Sequence, residues 1–385
     1  MIYLIPSIIV ILLNSFIYKK YYAKNYYKKA VLFFGSSIFV FISSLRYKTG
    51  TDWTAYYDFF NKITNDNYYS FYFEPLFKVF SILIKNINSN FNFYLFCISI
   101  NFVFLILIID KILSMTNMYY NKSILFLSVY LYTFSYYMGG IRQQISFFFS
   151  TVSLFYLLKN KKILSLIFFI IGFLFHYSAI LFLVNYIIYH YTSDKKNTFL
   201  TISFKKGVLI LIIFFILIYG IFETPIFTLS FGNSNLIKKY IISYRGNSSI
   251  NSILNYSLRN FILIFERVII LIIIFLVRKN YTCNKISKFF FIMYIFGSIF
   301  YIFFMFIARN IAGRGILYFR YADIFFFSTL SEPIAKTFFN KNSIKHQNLS
   351  KFISTLILLY LLIRFYVTIL VANKIFYYPY KNIVF

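Results

Sequence analysis

The sequence predicts an all-α, polytopic integral membrane protein with about 12 transmembrane helices, in a range of about 10–14. Three observations lead there. Apolar runs near the ~20 residues that span a bilayer recur from one end of the 385 residues to the other. The composition is 60% hydrophobic and only 13% charged, with a mean hydropathy of +0.73, which leaves too little polar surface to cover a soluble globule. The strict apolar–polar alternation of a membrane β-barrel is absent.

In order, the runs fall at residues 1–18, 30–45, 91–110, 123–138, 141–158, 163–176, 178–191, 207–224, 261–277, 289–308, 316–332 and 352–372. The first is apolar from its start, with no basic region before it and no small-residue cleavage pattern, so it reads as a retained helix and not a signal peptide. Lys19, Lys20, Lys24, Lys28 and Lys29 fill the first connection, and Lys159, Lys161 and Lys162 follow the fifth run. Lys195, Lys196, Lys205 and Lys206 follow the seventh, Arg278, Lys279, Lys285 and Lys288 the ninth, and Lys336, Lys341, Lys345 and Lys351 the eleventh. With both termini outside, all these clusters face the cytoplasm, as the positive-inside bias requires.

The expected organisation is therefore one transmembrane domain over 1–385. External loops lie at about 46–90 and 225–260, and cytoplasmic basic loops at about 19–29, 192–206, 278–288 and 333–351. Residues 74–87 read as a peripheral or re-entrant helix, because the run is short and Lys78 and Lys85 interrupt it. The stretch 163–191 reads as two helices, since one long helix would move the later basic loops outside.

The net charge of +29 sits in these short connections and not in a separate basic domain, so it points to lipid headgroups and excludes nucleic acid as a partner. The two cysteines, Cys97 and Cys283, suggest neither a disulfide framework nor a metal site. No P-loop, HExxH or Cys-x-x-Cys motif occurs, and the carboxylates form no paired set for a divalent ion. No cofactor and no metal are expected.

Against this background Arg46, Asp52, Glu74, Arg142, His176, Arg314, Arg320 and Asp323 stand beside or inside apolar runs, where an unsolvated charge is costly. In Arg46-Tyr47-Lys48-Thr49-Gly50-Thr51-Asp52-Trp53, glycine permits a tight turn and Asp52 is placed to cap a helix starting at Trp53. Trp53, Tyr56 and Tyr57 recur at helical spacing, as either an interfacial belt or a platform for sugars. Arg46 either snorkels to headgroups or binds a ligand. Glu74, ahead of Pro75 at a helix start, is either a dipole-stabilised cap or a reacting carboxylate.

Gly139-Gly140-Ile141-Arg142-Gln143-Gln144 breaks one helix and opens the next beside a guanidinium, which suits an anion such as phosphate. His176 ends an apolar run and is either a structural histidine or an acid–base group. Arg309, Arg314 and Arg320 gather near Gly313 and Gly315, able to clamp a diphosphate, although Arg320 and Asp323 also have the spacing of an internal ion pair. Glu266 and Arg267 read as interhelical partners. In the expected orientation these polar groups converge on the outer face.

Taken together, RYKTGTDWTAYY, FEPLF, GGIRQQ and FHYSA occur in an order that resembles the EpsG family, multi-span bacterial proteins of exopolysaccharide and capsule clusters. That family is similar in role to Wzy-type polysaccharide polymerases, and the resemblance covers about residues 1–330. It implies a metal-independent glycosyltransferase of the bacterial inner (plasma) membrane. Such an enzyme joins undecaprenyl-diphosphate-linked oligosaccharide repeat units at the outer face, in exopolysaccharide, capsule or O-antigen biosynthesis. It further implies membrane lipids, a chain-length regulator and the flippase of the same pathway as partners.

On this reading Arg142, with Arg314 and Arg320, holds the leaving diphosphate, and His176, or else Asp52 or Glu74, is the base. Arg46, Gln143, Trp53 and Tyr56 complete the substrate-binding set. Two rival classes stand beside it. A lipid-linked oligosaccharide flippase or exporter would show internal repeats and interrupted helices in both halves. An acyltransferase decorating the polysaccharide would draw its donor from the cytoplasm.

Overall fold

The computed structural model describes residues 2–20, 25–193, 258–281, 284–307, 309–339, 343–371, 374–377 and 380. The run expected at 207–224, almost all of the loop at 225–260, the lysines of the 192–206 loop, and Cys283 lie outside the described residues. Two compact units are present: Met1–Phe182 with Asp323–Phe385, and Leu183–Ala322.

In the first unit the chain runs through α1 (Ile5–Lys20), α2 (Asn25–Ser44), α3 (Trp53–Lys62), α4 (Pro75–Ile87), α5 (Phe91–Ser99) and α6 (Asn101–Ser114). It continues through α7 (Lys122–Met138), α8 (Ile141–Leu158), α9 (Lys162–Phe175) and a 3₁₀ stretch, Tyr177–Phe182. Helices Ser331–Phe338, Ile344–Tyr366 and Lys374–Tyr377 belong to the same unit, while α10 (Leu183–Ser193), Leu258–Leu276, Lys285–Ile307 and Arg309–Gly315 belong to the second. Every regular element among the described residues is helical.

Three of these helices are long and apolar enough to cross a bilayer: Phe91–Ser114, Lys285–Met305 and Ile344–Ile369, with mean hydropathies of 2.4, 1.9 and 2.1. Ile2–Ser15, Lys29–Ser44 and Lys162–Phe175 are apolar but shorter. This is a helical membrane protein. The expected run 316–332 departs from a single span; it is a 3₁₀ turn, Ile316–Phe319, followed by helices Arg320–Thr329 and Ser331–Phe338. Residues 74–87 form the 13-residue helix α4, too short to cross.

Helix α7 has a different reason for its modest hydropathy. Nearly all of it is buried by other helices, so its solvent is protein and not lipid. Its hydroxyls bond within that interior: Ser128 Oγ donates to the Ile124 carbonyl at 2.6 Å, Thr133 Oγ1 to Val129 at 2.8 Å, and Tyr130 OH to Tyr3 at 2.7 Å. Around it pack Phe39 from α2, Phe102 from α6 and Phe365, whose ring stacks on Tyr130 at 4.8 Å. Asn121 caps its start, accepting from the Ser123 and Ile124 amides. Near that end Asp110 of α6 takes Lys122 Nζ at 3.0 Å and the Tyr120 hydroxyl at 2.9 Å, so this buried lysine is compensated.

The α8–α9 hairpin is closed by a seam of small residues. Ser153 Oγ donates to the Ser165 carbonyl and Ser165 Oγ to that of Ser153, each at 2.8 Å. Seven residues further along both helices, Gly172 lies so close to α8 that a Cβ there would stand 3.1 Å from the Ser146 carbonyl oxygen. Small residues let helix backbones approach, and here they also fix the antiparallel register. Four residues beyond that contact, on one helix and the other, lie Arg142 and His176.

In the second unit Arg267 is buried, donates to Ser298 Oγ at 3.3 Å and lies over the Tyr301 ring at 5.1 Å. Asn185 Nδ2 donates to the Tyr318 carbonyl at 3.1 Å.

Gly50 adopts φ +111°, and a Cβ on it would stand 1.7 Å from the Met138 carbonyl oxygen. Gly50→Ala is expected to cost at least about 1–3 kcal/mol, through left-handed strain and displacement of α7. At Gly313, where an added Cβ would meet nothing within 4 Å, alanine should stay within about 0.5 kcal/mol of wild type. Thermal melts of the two detergent-solubilised variants check the contrast; equal melting temperatures would mean the 46–51 loop does not rest on α7.

Candidate functional site

Three segments bring one buried carboxylate its partners. Glu74 precedes α4 at the N-cap position, yet its side chain makes no capping bond. It turns instead to α8 and α9. Oε2 lies 2.5 Å from Arg142 Nη1, in the first turn of α8, and Oε1 lies 2.6 Å from His176 Nδ1, the residue that ends α9. Glu74 is 2% exposed and the His176 side chain 3%, whereas the Arg142 side chain keeps 22%.

Burial alone would push the Glu74 carboxyl up. The His176 hydrogen bond and the Arg142 charge outweigh it and hold the pKa down to about 2. An ionised Glu74 accepts, so the His176 Nδ1–H donates to it, and in the neutral ring Nε2 carries the lone pair. The carboxylate thus sets both the tautomer and the orientation of the imidazole.

The guanidinium of Arg142 is sandwiched further. Its Nε donates to the Tyr56 hydroxyl at 3.4 Å, and its carbon lies 4.5 Å from the centre of the Phe73 ring. Tyr56 is 4% exposed, and burial raises its pKa while Arg142 opposes that rise. Phe175 stacks on Phe149 at 5.4 Å and meets Phe80 edge-on at 5.7 Å, fixing the end of α9 between α8 and α4.

The turn before Arg142 is held by the 46–51 loop. Arg46 is 1% exposed and donates through Nη1 to the carbonyls of Tyr137 at 2.6 Å and Ser43 at 3.1 Å. Burial lowers its pKa to about 10, so it stays charged at neutral pH. Gly50 rests on Met138, and a Cβ on Gly139 would collide with Thr51 Oγ1 at 2.1 Å. Both glycines are needed for loop and turn to lie so close. Tyr137 OH donates to Asn101 Oδ1 at 2.6 Å, and Gln144 Nε2 donates to the same oxygen, tying α8 to the start of α6.

Of the residues singled out in the sequence, the structure brings Glu74, Arg142, His176 and Tyr56 together. Asp52 is exposed, occupies the N-cap position of α3 and makes no side-chain capping bond; the expected cap is not formed, because its backbone (φ −120°, ψ 19°) lacks the extended geometry of a capping residue. Trp53 is buried in the aromatic core of α3, α4 and α5, stacked on Tyr57 at 4.9 Å, so its faces are not offered to solvent. Gln143 is buried. Arg314 is exposed and Arg320 half-buried, both in the second unit. Among the described residues no three His, Cys, Asp or Glu side chains gather as a metal set.

Sequence reasoning missed Asn101 and the Asp110–Lys122–Tyr120 cluster. Asn101 had a signal, an amide inside the apolar run 91–110; the cluster had one too, an acid and a base flanking the short α6–α7 connection.

A family model described as the EpsG family matches residues 29–382. The chain belongs to the EpsG family. No curated protein and no solved structure matches it. Membership makes this a membrane protein of polysaccharide biosynthesis, and the EpsG match takes in all of Arg46, Tyr56, Glu74, Arg142 and His176.

The depressed Glu74 pKa sets a direction for stability against pH. A carboxylate whose folded pKa lies below its ordinary 4.5 contributes stability above pH 4.5, and that contribution is lost as pH falls toward 2. Glu74→Gln is therefore expected to be less stable than wild type by about 3 kcal/mol at pH 7, with the gap unchanged to near pH 5 and closing toward pH 2. Paired melts across that range check it; a gap independent of pH would mean Glu74 is not ionised in the fold.

Proposed function

We propose that this EpsG-family protein is a polysaccharide polymerase, joining undecaprenyl-diphosphate-linked oligosaccharide repeat units at the outer face of the membrane. The observation that carries the reading is the Glu74 bridge between a rim-exposed arginine and a buried histidine. It supplies an oriented base beside a cation.

In the transfer, an acceptor sugar hydroxyl attacks the anomeric carbon of the growing chain. The new C–O bond forms as the bond from that carbon to the lipid diphosphate breaks. The hydroxyl proton passes to His176 Nε2, and the electron pair leaves on the diphosphate. Arg142 has committed Nη1 to Glu74 and Nε to Tyr56, and its Nη2 makes no hydrogen bond among the described residues, so Nη2 is the donor available to a phosphate oxygen. Glu74 and Arg142 cancel in charge. Proton uptake by His176 turns the cluster net positive at the moment the leaving group becomes more negative, which is electrostatic stabilisation placed in the transition state. Asp52 is kept as the alternative base; Arg46 is a positioning residue, since its Nη1 holds the Tyr137 carbonyl.

The test is the lipid-linked glycan profile of a deletion strain complemented with each variant, sized by mass spectrometry. Arg142→Ala and Arg142→Lys should both abolish polymer and leave single repeat units on the carrier, accessible from outside, with protein still in the membrane. His176→Ala should cut polymer by a factor of about 10²–10⁴. Units trapped inside would indicate a flippase, polymer lacking only a substituent would indicate a decorating transferase, and full polymer from His176→Ala would move the base to a carboxylate.

The outward placement has its own check. A cysteine at exposed Thr51 should react with an impermeant maleimide in intact cells. Labelling only after permeabilisation would put the site on the cytoplasmic face.

A further inference from the structure

Beside the site lies an open groove of about 450 Å³ between the turn at residues 65–69 and helix α4. Its turn side is made by Asn65, Tyr68 and Tyr69. Its helix side is made by Val79, Ile82, Leu83 and Asn86. No charged side chain lines it. Two phenols and two carboxamides face an apolar floor, a lining that offers hydrogen bonds in both directions together with flat rings.

The wall of this groove is built and held. Asn67 closes the turn with its own side chain, accepting from the Thr64 amide at 2.7 Å and donating to the Lys62 carbonyl at 2.7 Å. Lys78 Nζ reaches from α4 to the carbonyls of Tyr68 and Phe71 at 3.2 and 3.3 Å and sits 4.0 Å from the centre of the Tyr68 ring. The Tyr68 hydroxyl donates to the Pro75 carbonyl at 3.2 Å, one residue from Glu74. On this fixed turn Tyr69 stands 91% exposed. Its ring meets the Tyr68 ring edge-on at 5.2 Å and stands out from the turn.

The groove and the reacting groups share helix α4. Val79 to Asn86 lie on the same helix that begins beside Glu74, starting roughly 7 Å along its axis at 1.5 Å per residue. Tyr177, next to His176, is 45% exposed.

We propose that this groove is a binding subsite for a neutral stretch of saccharide chain, the glycan part of a substrate whose reacting end lies at Glu74 and His176. The inference rests on the polymerase reading for what happens at that end, and on the groove alone for where the sugars lie. The uncharged lining suits sugar hydroxyls and ring C–H faces, and it is a poor match for the phosphate or headgroup charge that Arg142 would take. A chain held away from the reacting sugar lets binding energy remote from the bond be used in the transfer.

The experiment uses the full-length protein in nanodiscs and, as probe, oligosaccharides of about two to eight sugars cut from the host's own exopolysaccharide, read by saturation-transfer NMR and titration. Wild type should bind them. Tyr69→Ala with Asn86→Ala, both exposed positions, should weaken binding by at least about tenfold, and in cells should shorten the polymer without abolishing it. His176→Ala should keep oligosaccharide binding within about twofold while losing polymer. No binding by wild type, or unchanged affinity in the double variant, overturns the subsite. If the double variant instead lowers only membrane retention, Tyr69 is an interfacial anchor and the proposal is again overturned. Full polymer from His176→Ala with a groove-dependent affinity would sink the catalytic reading and leave the subsite standing.

Discussion

Removing the Glu74 carboxylate from water costs several kcal/mol unless cations and hydrogen bonds replace its hydration, and two other parts of the chain are committed to replacing it. The α4 start supplies the carboxylate, the first turn of α8 supplies Arg142, and the residue ending α9 supplies His176. Loss of any one leaves a buried charge or a buried imidazole without its partner. The local fold is therefore specified by chemistry as much as by apolar packing: the segments must meet at these atoms or not fold here at all. The same constraint explains why Glu74 gives up the capping bond its position invites.

Meeting at 2.5–2.6 Å requires that α8 and α9 be in register and that the turn before α8 be fixed. The reciprocal serine bonds and the Gly172 contact provide the first. Sliding α9 along α8 would break both serine bonds and drive Gly172 off the small surface that admits it. The 46–51 loop provides the second. Arg46 holds the Tyr137 carbonyl, which α7 frees as it ends, and Gly50 and Gly139 let loop and turn touch. A backbone carbonyl left bare at a buried helix end would be costly, so the guanidinium serves as its partner.

Much of this was legible in the sequence, and the gaps have physical causes. The breaks at Gly139–Gly140 and at His176, and the short α4, follow from turn residues, run length and interrupting lysines. The motifs that resemble the EpsG family contain Tyr56, Glu74, Arg142 and His176, all four members of the observed cluster. Their mutual contact was not legible, because the partners lie 68 and 102 residues apart. Apolar periodicity also says nothing about the serine seam, which sets the register through polar atoms inside an apolar hairpin. The run expected at 316–332 is helical but opens as a 3₁₀ turn and divides into two helices. Hydropathy measures what a stretch contains, whereas the 3₁₀ turn at Ile316–Phe319 depends on what it packs against. The run expected at 123–138 is helix α7, and its tyrosines and serines are solvated by other helices.

Arg46 and Arg142 look alike in the sequence, each a lone arginine beside a glycine-bearing turn at the end of an apolar run. Their partners separate them. Arg46 is enclosed at 1% exposure; its Nη1 is committed to main-chain carbonyls, and its Nε finds no acceptor among the described residues. A ligand reaching it would have to dismantle the end of α7. Arg142 is anchored on one side by a carboxylate and covered on one face by Phe73, and it keeps a fifth of its side chain at the surface. An anion can reach only that open edge, where the guanidinium offers the donors that Glu74 and Tyr56 do not take. Under the proposed reaction, phosphate would meet the rim of Arg142 and His176 Nε2 would receive the proton. A buried carboxylate behind the two groups keeps them from turning to each other or to solvent, so the pair is oriented before any substrate arrives.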